Sequence, residues 1–334
     1  MIHHQDIKLK NYNFLITGGA GFIGSHIVEY LLLNNAGNVR VLDNFSTGSK
    51  NNLKHLKVYP NLEILEGDIR DLKTCRSAVQ DIDFVSHQAA LGSVPRSIKD
   101  PITTNAVNIN GFLNMLVAIS TQKRIKRFVY AASSSTYGDS KALPKQEDII
   151  GKPLSPYAVT KLVNELYADV FSKINGFTSV GLRYFNVFGP RQSPKGAYAA
   201  VIPLFLNAIK KKESPIIHGD GMQTRDFTYI GNVVQANIKS FFNSKEEGHQ
   251  VYNIACGSRI SINELWGILK TAGNSNLEPV HTEPRQGDVR DSLADILKAK
   301  KHLGYIPEFN VKTGLKLTWD WFKDLEKTNA NSNE

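Results

Sequence analysis

The chain has 334 residues, of which 41% are apolar, 21% charged and 9% aromatic. At roughly 150 residues per domain that length suits two domains, and a balance near the globular average excludes a disordered, collagenous or coiled-coil chain. Lys and Arg number 40 against 31 Asp and Glu, a formal charge of +9 that steers anions toward the surface; the basic residues are scattered and form no stripe, so no nucleic-acid partner is expected.

Cys75 and Cys256 stand far apart without metal-ligand spacing, so neither a disulfide framework nor a metal site is expected. Met1 to Asn13 is polar and the apolar run Phe14 to Ile16 is too short for a signal peptide. Asn114 and Asn207 interrupt the two most apolar stretches before they reach the roughly 18 residues of a membrane helix. A cytoplasmic protein with no membrane partner is expected.

Short β-branched runs alternate with longer amphipathic stretches, the pattern of a parallel sheet covered by helices on both faces. The first strand, Asn13 to Thr17, runs into Gly18-Gly19-Ala20-Gly21-Phe22-Ile23-Gly24 and a helix from Gly21 to Leu33. Glycines at 18, 21 and 24 permit a tight turn, close approach of the backbone to a pyrophosphate and close helix packing, while the helix N-terminus offers free N–H groups to phosphates. The second strand, Val39 to Asp43, ends about twenty residues on in a carboxylate that accepts hydrogen bonds from a ribose diol and repels a 2′-phosphate, so NAD is expected rather than NADP.

Leu62 to Glu66 and Phe84 to Gln88 read as the third and fourth strands, followed by a helix from Ile102 to Ser120. The fifth strand, Arg127 to Ala131, leads into Ser133-Ser134-Ser135 at the carboxyl edge of the sheet, where ligands bind in this architecture. Ser155 caps a helix that Pro156 opens and that runs to Phe171. Tyr157 and Lys161 lie four apart on it and face one way, a spacing that by itself is usually structural. Beside a dinucleotide site it acquires a purpose, because a lysine ammonium and a positive nicotinamide favour the phenolate of a tyrosine that otherwise ionises near pH 10. Tyr157 is then a base near neutral pH.

Ser179 to Tyr184 is the sixth strand, and right-handed crossovers fold these units into a Rossmann-type doubly wound α/β sheet. Past Asn186 the glycines and prolines Gly189-Pro190, Ser193-Pro194, Gly196, Gly219 and Gly221 break the pattern, and a smaller α/β substrate domain begins. The expected division is 1–185 for NAD, with 229–256 returning to that domain, 186–228 and 257–327 for substrate, and 328–334 as a frayed tail.

Together these elements resemble the extended short-chain dehydrogenase/reductase superfamily over nearly the whole chain. The strings His87-Gln88-Ala89-Ala90-Leu91-Gly92-Ser93-Val94-Pro95-Arg96-Ser97, Arg183-Tyr184-Phe185-Asn186-Val187-Phe188-Gly189 and Gly287-Asp288-Val289-Arg290-Asp291-Ser292-Leu293-Ala294-Asp295 are similar to bacterial UDP-N-acetylglucosamine (UDP-GlcNAc) 4-epimerases of surface-polysaccharide synthesis. The resemblance implies NAD contacts at Gly18, Gly21, Phe22, Ile23, Gly24, Asp43, Asn44, Asp68, Ile69, Gln88, Ala89, Ala90, Asn108, Tyr157, Lys161 and Tyr184. It places the catalytic serine at Ser133 and the UDP diphosphate on Asn186, Arg225 and Arg290, where charge-assisted bonds suit a phosphate. Val201 and His218 lie against the uracil. Ser93, Arg96, Ser134, Ser135 and Ser292 fall to the sugar; Ser93, Arg96 and Lys195 serve an N-acetylhexosamine or a uronic acid equally. His218 replaces an aromatic hydrocarbon of galactose epimerases and Gly92 replaces their lysine, departures that alter the uracil and sugar ends. Without the resemblance, Arg225 and Arg290 read as surface salt-bridge partners. The helices Ile102 to Ser120 and Pro156 to Phe171 are implied to meet their copies in a four-helix homodimer interface.

Dehydratases and decarboxylases of the superfamily place an acidic residue directly after the Ser133 position, where this chain has Ser134. The reaction implied is therefore 4-epimerisation of UDP-GlcNAc and UDP-GalNAc: Tyr157 takes the 4-hydroxyl proton while hydride passes from C4 to NAD, and the 4-keto sugar turns and receives the hydride on its other face. Lys161 holds the nicotinamide ribose and Ser133 orients the oxygen at C4. Ser292 leaves room for an acetamido group where galactose epimerases carry tyrosine, or else merely begins the helix containing Asp295. UDP-N-acetylglucosaminuronic acid and UDP-glucose remain alternative substrates. A noncatalytic NAD sensor or scaffold is the alternative of another class, against which the retained Ser133, Tyr157 and Lys161 speak.

Overall fold

Strands that read as unbroken apolar runs need cover on both faces. The computed structural model, which describes residues 8–193, 200–243, 247–284 and 290–331, supplies it. β1 (Phe14–Thr17), β2 (Val39–Asp43), β3 (Leu62–Glu66), β4 (Phe84–His87), β5 (Arg127–Ser133), β6 (Thr178–Tyr184) and β7 (His249–Ile254) form one sheet in the order β7-β6-β5-β4-β1-β2-β3. All pairings are parallel. Side chains alternate across the pleat: Phe14 and Ile16 enter one buried cluster, Leu15 the other. The order reverses between β1 and β4, and a crevice opens there at the carboxyl ends of the strands. The six strands expected from sequence agree with the structure to within two residues at each end, the largest difference being β5, which runs to Ser133.

The helices are α1 (Phe22–Leu33), α2 (Leu72–Ala78), α3 (Val94–Lys99), α4 (Pro101–Asn105), α5 (Phe112–Ser120), α6 (Pro156–Asn175), α7 (Val201–Lys211), α8 (Ile230–Phe242), α9 (Ile262–Ala272), α10 (Leu297–Leu303) and α11 (Val311–Asn331). The Ser155 hydroxyl accepts from the Ala158 N–H, Pro156 opens α6, and the helix runs to Asn175, four residues beyond the expected Phe171, where Gly176 ends it with φ +69°. α4 and α5 are one run joined by a π-helical stretch at Ala106–Gly111, a local widening that often accompanies a functional position.

Contrary to the sequence expectation, Pro101–Ser120 is long and apolar enough to cross a membrane by length and composition. Asn114 does not interrupt it, since its side chain turns back to the Ile69 and Arg70 carbonyls at the helix flank. The apolar face is occupied by the core: Phe112, Met115, Leu116 and Ile119 are buried, and the Phe112 ring sits 5.4 Å from His87, 5.6 Å from Phe128 and 5.1 Å from Tyr130, centroid to centroid.

Past β6, three short pairings build the smaller region: Val187–Phe188 with Thr228–Tyr229, Thr224–Arg225 with Ile260–Ser261, and Ile216–His218 with Val280–Thr282. β7 then returns to the large sheet beside β6. Lys195 and Gly287 to Val289 lie outside the described residues. α11 continues through residues 328–331, and 332–334 lie outside the described residues.

If Phe112 anchors α5 to the sheet, Phe112→Ala lowers unfolding free energy by about 3–5 kcal/mol. Urea denaturation checks this, and a loss under about 1 kcal/mol, the size of a surface change, contradicts it.

Candidate active site

The glycine-rich turn is dictated by crowding. Gly18 has φ +66°, and a Cβ there would stand 2.7 Å from the Ala89 nitrogen; a Cβ on Gly24 would stand 2.2 Å from the Gly18 carbonyl oxygen. Gly21 occupies the N-cap of α1, where no side chain caps the first turn. The N–H groups of that turn therefore point without side-chain partners toward the crevice, together with the positive end of the helix dipole.

They face a cleft of about 440 Å³ lined by Gly18, Gly21, Phe22, Ile23, Gly24, Asp43, Asn44, Asp68, Ile69, Gln88, Ala89 and Ala90. Asp43, at the end of β2, accepts from the Ala20 N–H at 2.9 Å and the Phe45 N–H at 2.8 Å. Burial raises its pKa while these two bonds lower it, and each oxygen keeps a lone pair for a ribose hydroxyl. Asn44 donates to Asp68 at 2.8 Å, and the hydrogen bond from Arg70 holds Asp68 down at about 2. Uncapped N–H groups, turns open only to glycine and a carboxylate at ribose distance in the sequence fit a dinucleotide. Ser93 and Arg96 line the same cleft.

Asn108, Ser133 to Ser135, Tyr157, Lys161 and Tyr184 are not part of that lining; they stand on the π-helical stretch, at the end of β5 and just after it, on α6 and at the end of β6. Asn108 rises from the π-helical stretch, accepting from the Leu91 N–H at 2.8 Å and donating to Thr160 at 3.2 Å, so it ties the Gly92 loop to α6. The Tyr184 hydroxyl donates to Gln88 at 3.3 Å and accepts from Asn237 at 2.9 Å, which sets the Gln88 amide at the cleft wall.

Ser133 accepts from the Ser135 N–H at 3.1 Å and the Ser135 hydroxyl at 2.9 Å, and Ser134 is half-buried beside it. The Tyr157 N–H donates to Ser97 at 3.0 Å, fixing the first turn of α6 against α3. Lys161, buried, donates to the Ala131 carbonyl at 2.7 Å, with its Nζ 5.9 Å from the Tyr157 ring centroid. Burial pushes the Tyr157 phenol above its ordinary value and its hydrogen bond with Ser133 pulls it back part way; burial brings Lys161 down to about 8. In the chain itself the ammonium is directed at the Ala131 carbonyl, and desolvation of the phenol dominates.

His87, from the same string as Gln88, bonds through Nδ1 to Thr17 at 2.8 Å. Burial and the Lys161 charge hold it at about 3, so it is a neutral packing residue and no proton shuttle.

A second pocket of about 170 Å³ is lined by Asn186, Val201, Phe205, His218, Arg225 and Phe227, among others. Four of the residues assigned to UDP thus converge. Arg290 and Ser292 stand outside that lining. Arg290 pairs with Asp220 at 3.1 Å on the surface, a solvated pair of small worth. Ser292 lies in an extended strip, and its N–H donates to the Thr224 carbonyl; α10 begins later, at Leu297, whose N–H donates to the Asp295 carboxylate, so Ser292 does not start a helix.

Sequence reasoning missed Ser46, Thr47, Gly48, Leu91, Val107, Gln192, Ser193 and Ala200 in the cleft wall. It also missed how the wall is held: Arg191, φ +66°, reaches back to Glu29 and His26 on α1 at 2.5 Å each. Separations of 162 and 165 residues leave no local signal for such a contact.

Residues 14–255 match the NAD dependent epimerase/dehydratase family, and the chain belongs to that family, whose cofactor is NAD. It is 40% identical over 316 residues to a putative UDP-glucose 4-epimerase of Methanocaldococcus jannaschii, covering 94% of this chain and 99% of that protein. The UDP-N-acetylglucosamine 4-epimerase of Methanobrevibacter ruminantium M1, solved with UDP-N-acetylmuramic acid, matches with a TM-score of 0.89 and 39% identity over 94% of this chain and 99% of that one. UDP-glucuronic acid 4-epimerase from Bacillus cereus, solved with UDP-glucuronic acid and NAD, matches with a TM-score of 0.87 and 32% identity, again over 94% and 99%.

The neutral state of His87 has a measurable consequence. An unfolded histidine takes up a proton as pH falls through about 6.5, whereas folded His87 resists until about 3. Stability therefore falls with falling pH across that window, by about 1.4 kcal/mol per pH unit for each such group. His87→Gln is expected to flatten the slope of unfolding free energy between pH 6 and 4 by roughly that amount, and equal slopes in both proteins would contradict the assignment.

Proposed function

We propose that this NAD-dependent UDP-sugar 4-epimerase interconverts UDP-GlcNAc and UDP-GalNAc. The observation that supports this choice is the space at the sugar end: a Cβ on Gly92 would meet nothing within 4 Å, and Ser292 is small in an extended strip beside Thr224. Both features accommodate an acetamido group.

When bound, NAD supplies the hydride acceptor and donor for sugar C4. Tyr157 moves the proton at the 4-hydroxyl. Ser133, its oxygen accepting two bonds from Ser135, has a single proton, which it directs at the Tyr157 oxygen in the chain itself and turns to the oxygen at C4 when the sugar is bound. Lys161, seated on the Ala131 carbonyl, supplies positive charge that, with the cation of the oxidised cofactor, offsets the burial that raises Tyr157. Asn186, Arg225, Val201 and His218 hold the UDP portion, with Arg290 joining them from its solvated pair and Ser134, Ser135 and Ser93 near the sugar.

A uronic acid is the second reading, and Arg96 favours it: the residue lines the cleft and forms no ion pair among the described residues. Here a carboxylate on the sugar supplies the partner.

The same proposal includes a cytoplasmic homodimer feeding surface-polysaccharide synthesis, with the division into NAD and substrate domains near residue 186. Support for the dimer is an apolar face across α3, α4 and α6, where Ile98, Ile102, Leu166 and Ile174 are 63%, 79%, 60% and 75% exposed. Leu166, Val170 and Ile174 recur at one-turn spacing, the pattern of a helix awaiting a partner.

Purified protein incubated with each UDP-sugar in turn, with the C4 epimers then separated, is the test. The expected result is UDP-GalNAc from UDP-GlcNAc with no net NADH; stoichiometric NADH, or turnover of UDP-glucose or an acidic sugar alone, overturns it. Ser292→Tyr should lower kcat/KM for UDP-GlcNAc at least about tenfold more than for UDP-glucose, since pocket bulk excludes the larger sugar. Equal losses remove Ser292 as the gate.

A further inference from the structure

Lys161 is 3% exposed and its Nζ has one hydrogen-bond acceptor, an uncharged carbonyl. Among the described residues no carboxylate stands within ion-pair distance of it. A buried ammonium in that condition readily gives up its proton, yet a neutral lysine does nothing for a neighbouring phenolate.

Glu165 lies one helical turn further along α6 and faces the same way, since residues four apart share a face. It is also buried. Its carboxylate is gripped by the fork of Arg183 from β6, Nε to Oε1 at 2.9 Å and Nη2 to Oε2 at 2.7 Å. The remaining nitrogen, Nη1, donates to the Glu147 carbonyl at 2.8 Å, and the guanidinium carbon stands 4.9 Å from the Tyr137 ring centroid. Arg183 is paired in register with Ala132, the neighbour of the residue that holds Lys161. Two consecutive turns of α6 are therefore tied to two adjacent strands, one by Lys161 and one by Glu165.

We propose that Glu165, held in place by Arg183, is a positioning residue for Lys161: from one turn away it supplies the counter-charge that the buried ammonium lacks, while Arg183 fixes how much of that charge the ammonium feels. The proposal rests on the reading of Tyr157 and Lys161 as the working pair.

The groups around Lys161 are Tyr157 and Glu165 on α6 and neutral His87 from β4. Around the Glu165–Arg183 pair stand Tyr130 from β5, Tyr137 just after it, Glu147, Asp169 on the next turn of α6 and His249 from β7. Of these, Glu165 is the one whose charge helps Lys161 to keep its proton against burial.

The signs follow. Glu165→Gln removes the counter-charge and leaves Arg183 positive, so Lys161 loses its proton at lower pH. Arg183→Met frees the carboxylate from its cation, so Lys161 holds its proton to higher pH. With Lys161 deprotonation as the alkaline limb of kcat, the limb moves down by about one pH unit in the first variant and up by a similar amount in the second. A purely structural pair predicts lower kcat and lower Tm in both, with the limb unmoved.

The experiment is the pH profile of kcat for epimerisation in wild type, Glu165→Gln and Arg183→Met, with bound NAD confirming that each variant folds. The paired variant Glu165→Gln/Arg183→Gln buries no unpaired charge and carries the test if a single variant does not fold; its limb is expected below that of wild type because Glu165, one turn along α6, acts on Lys161 directly and Arg183 acts through Glu165. Opposite shifts in the single variants, or the downward shift in the paired one, support the proposal. Limbs that coincide with wild type in every folded variant, or that move the same way in both single variants, overturn it. Wild-type protein that epimerises no UDP-sugar defeats the underlying reading instead, and active wild type with unmoved limbs defeats this inference alone.

Discussion

The close approach of two backbones at the point where strand order reverses governs the rest of the structure. The turn after β1 and the segment after β4 come so near that a Cβ on Gly18 would press on Ala89. Glycine with positive φ is what allows it. That contact leaves the first turn of α1 uncapped and directed into the cleft, places Asp43 across from it at the end of β2, and sets Gln88, Ala89 and Ala90 as the opposite wall. A cofactor held there by backbone N–H groups meets a site formed before it arrives, so little ordering cost is left to binding.

From that fixed wall the chemistry is arranged by burial and pairing. His87 is kept neutral, Asp68 is kept ionised by Arg70, and Tyr157 and Lys161 are each pushed toward their uncharged forms. Both shifts work against a phenolate, so Tyr157 becomes a base only where positive charge from Lys161 and the oxidised cofactor offsets its burial. The pocket to which the proposal assigns the nucleotide is built differently, in the smaller region where Asn186, Val201, His218 and Arg225 converge. Binding energy gathered there is available to orient a sugar at Tyr157.

Local signals made much of this legible. The glycine spacing, the carboxylate ending β2, the Ser155-Pro156 helix start and the Tyr157-Lys161 spacing are each short-range, and the structure has a strand, turn or helix at each. What the sequence did not reveal depends on contacts between distant segments. The return of 229–256 to the large domain was expected, but not β7 within it, a short mixed run whose place beside β6 is set by pairing rather than by its own periodicity. The apolar length of Pro101–Ser120 was underestimated because asparagines that bond locally do not break an apolar face. Arg191 reaching Glu29, and Asn108 turned inward by a π-helical stretch, required the fold. Arg290 was read with Arg225 on the diphosphate and Ser292 at the sugar, and both stand outside the lining of the pocket that includes Arg225.

The account turns on Tyr157 as the group that moves the proton at the 4-hydroxyl. The most direct measurement is kcat of Tyr157→Phe, which keeps the ring and removes the oxygen, made on protein shown by its bound NAD and its Tm to be folded. The account predicts a loss of at least about a hundredfold, the lower end of general acid–base contributions. Near wild-type turnover in that folded, NAD-containing variant would contradict it.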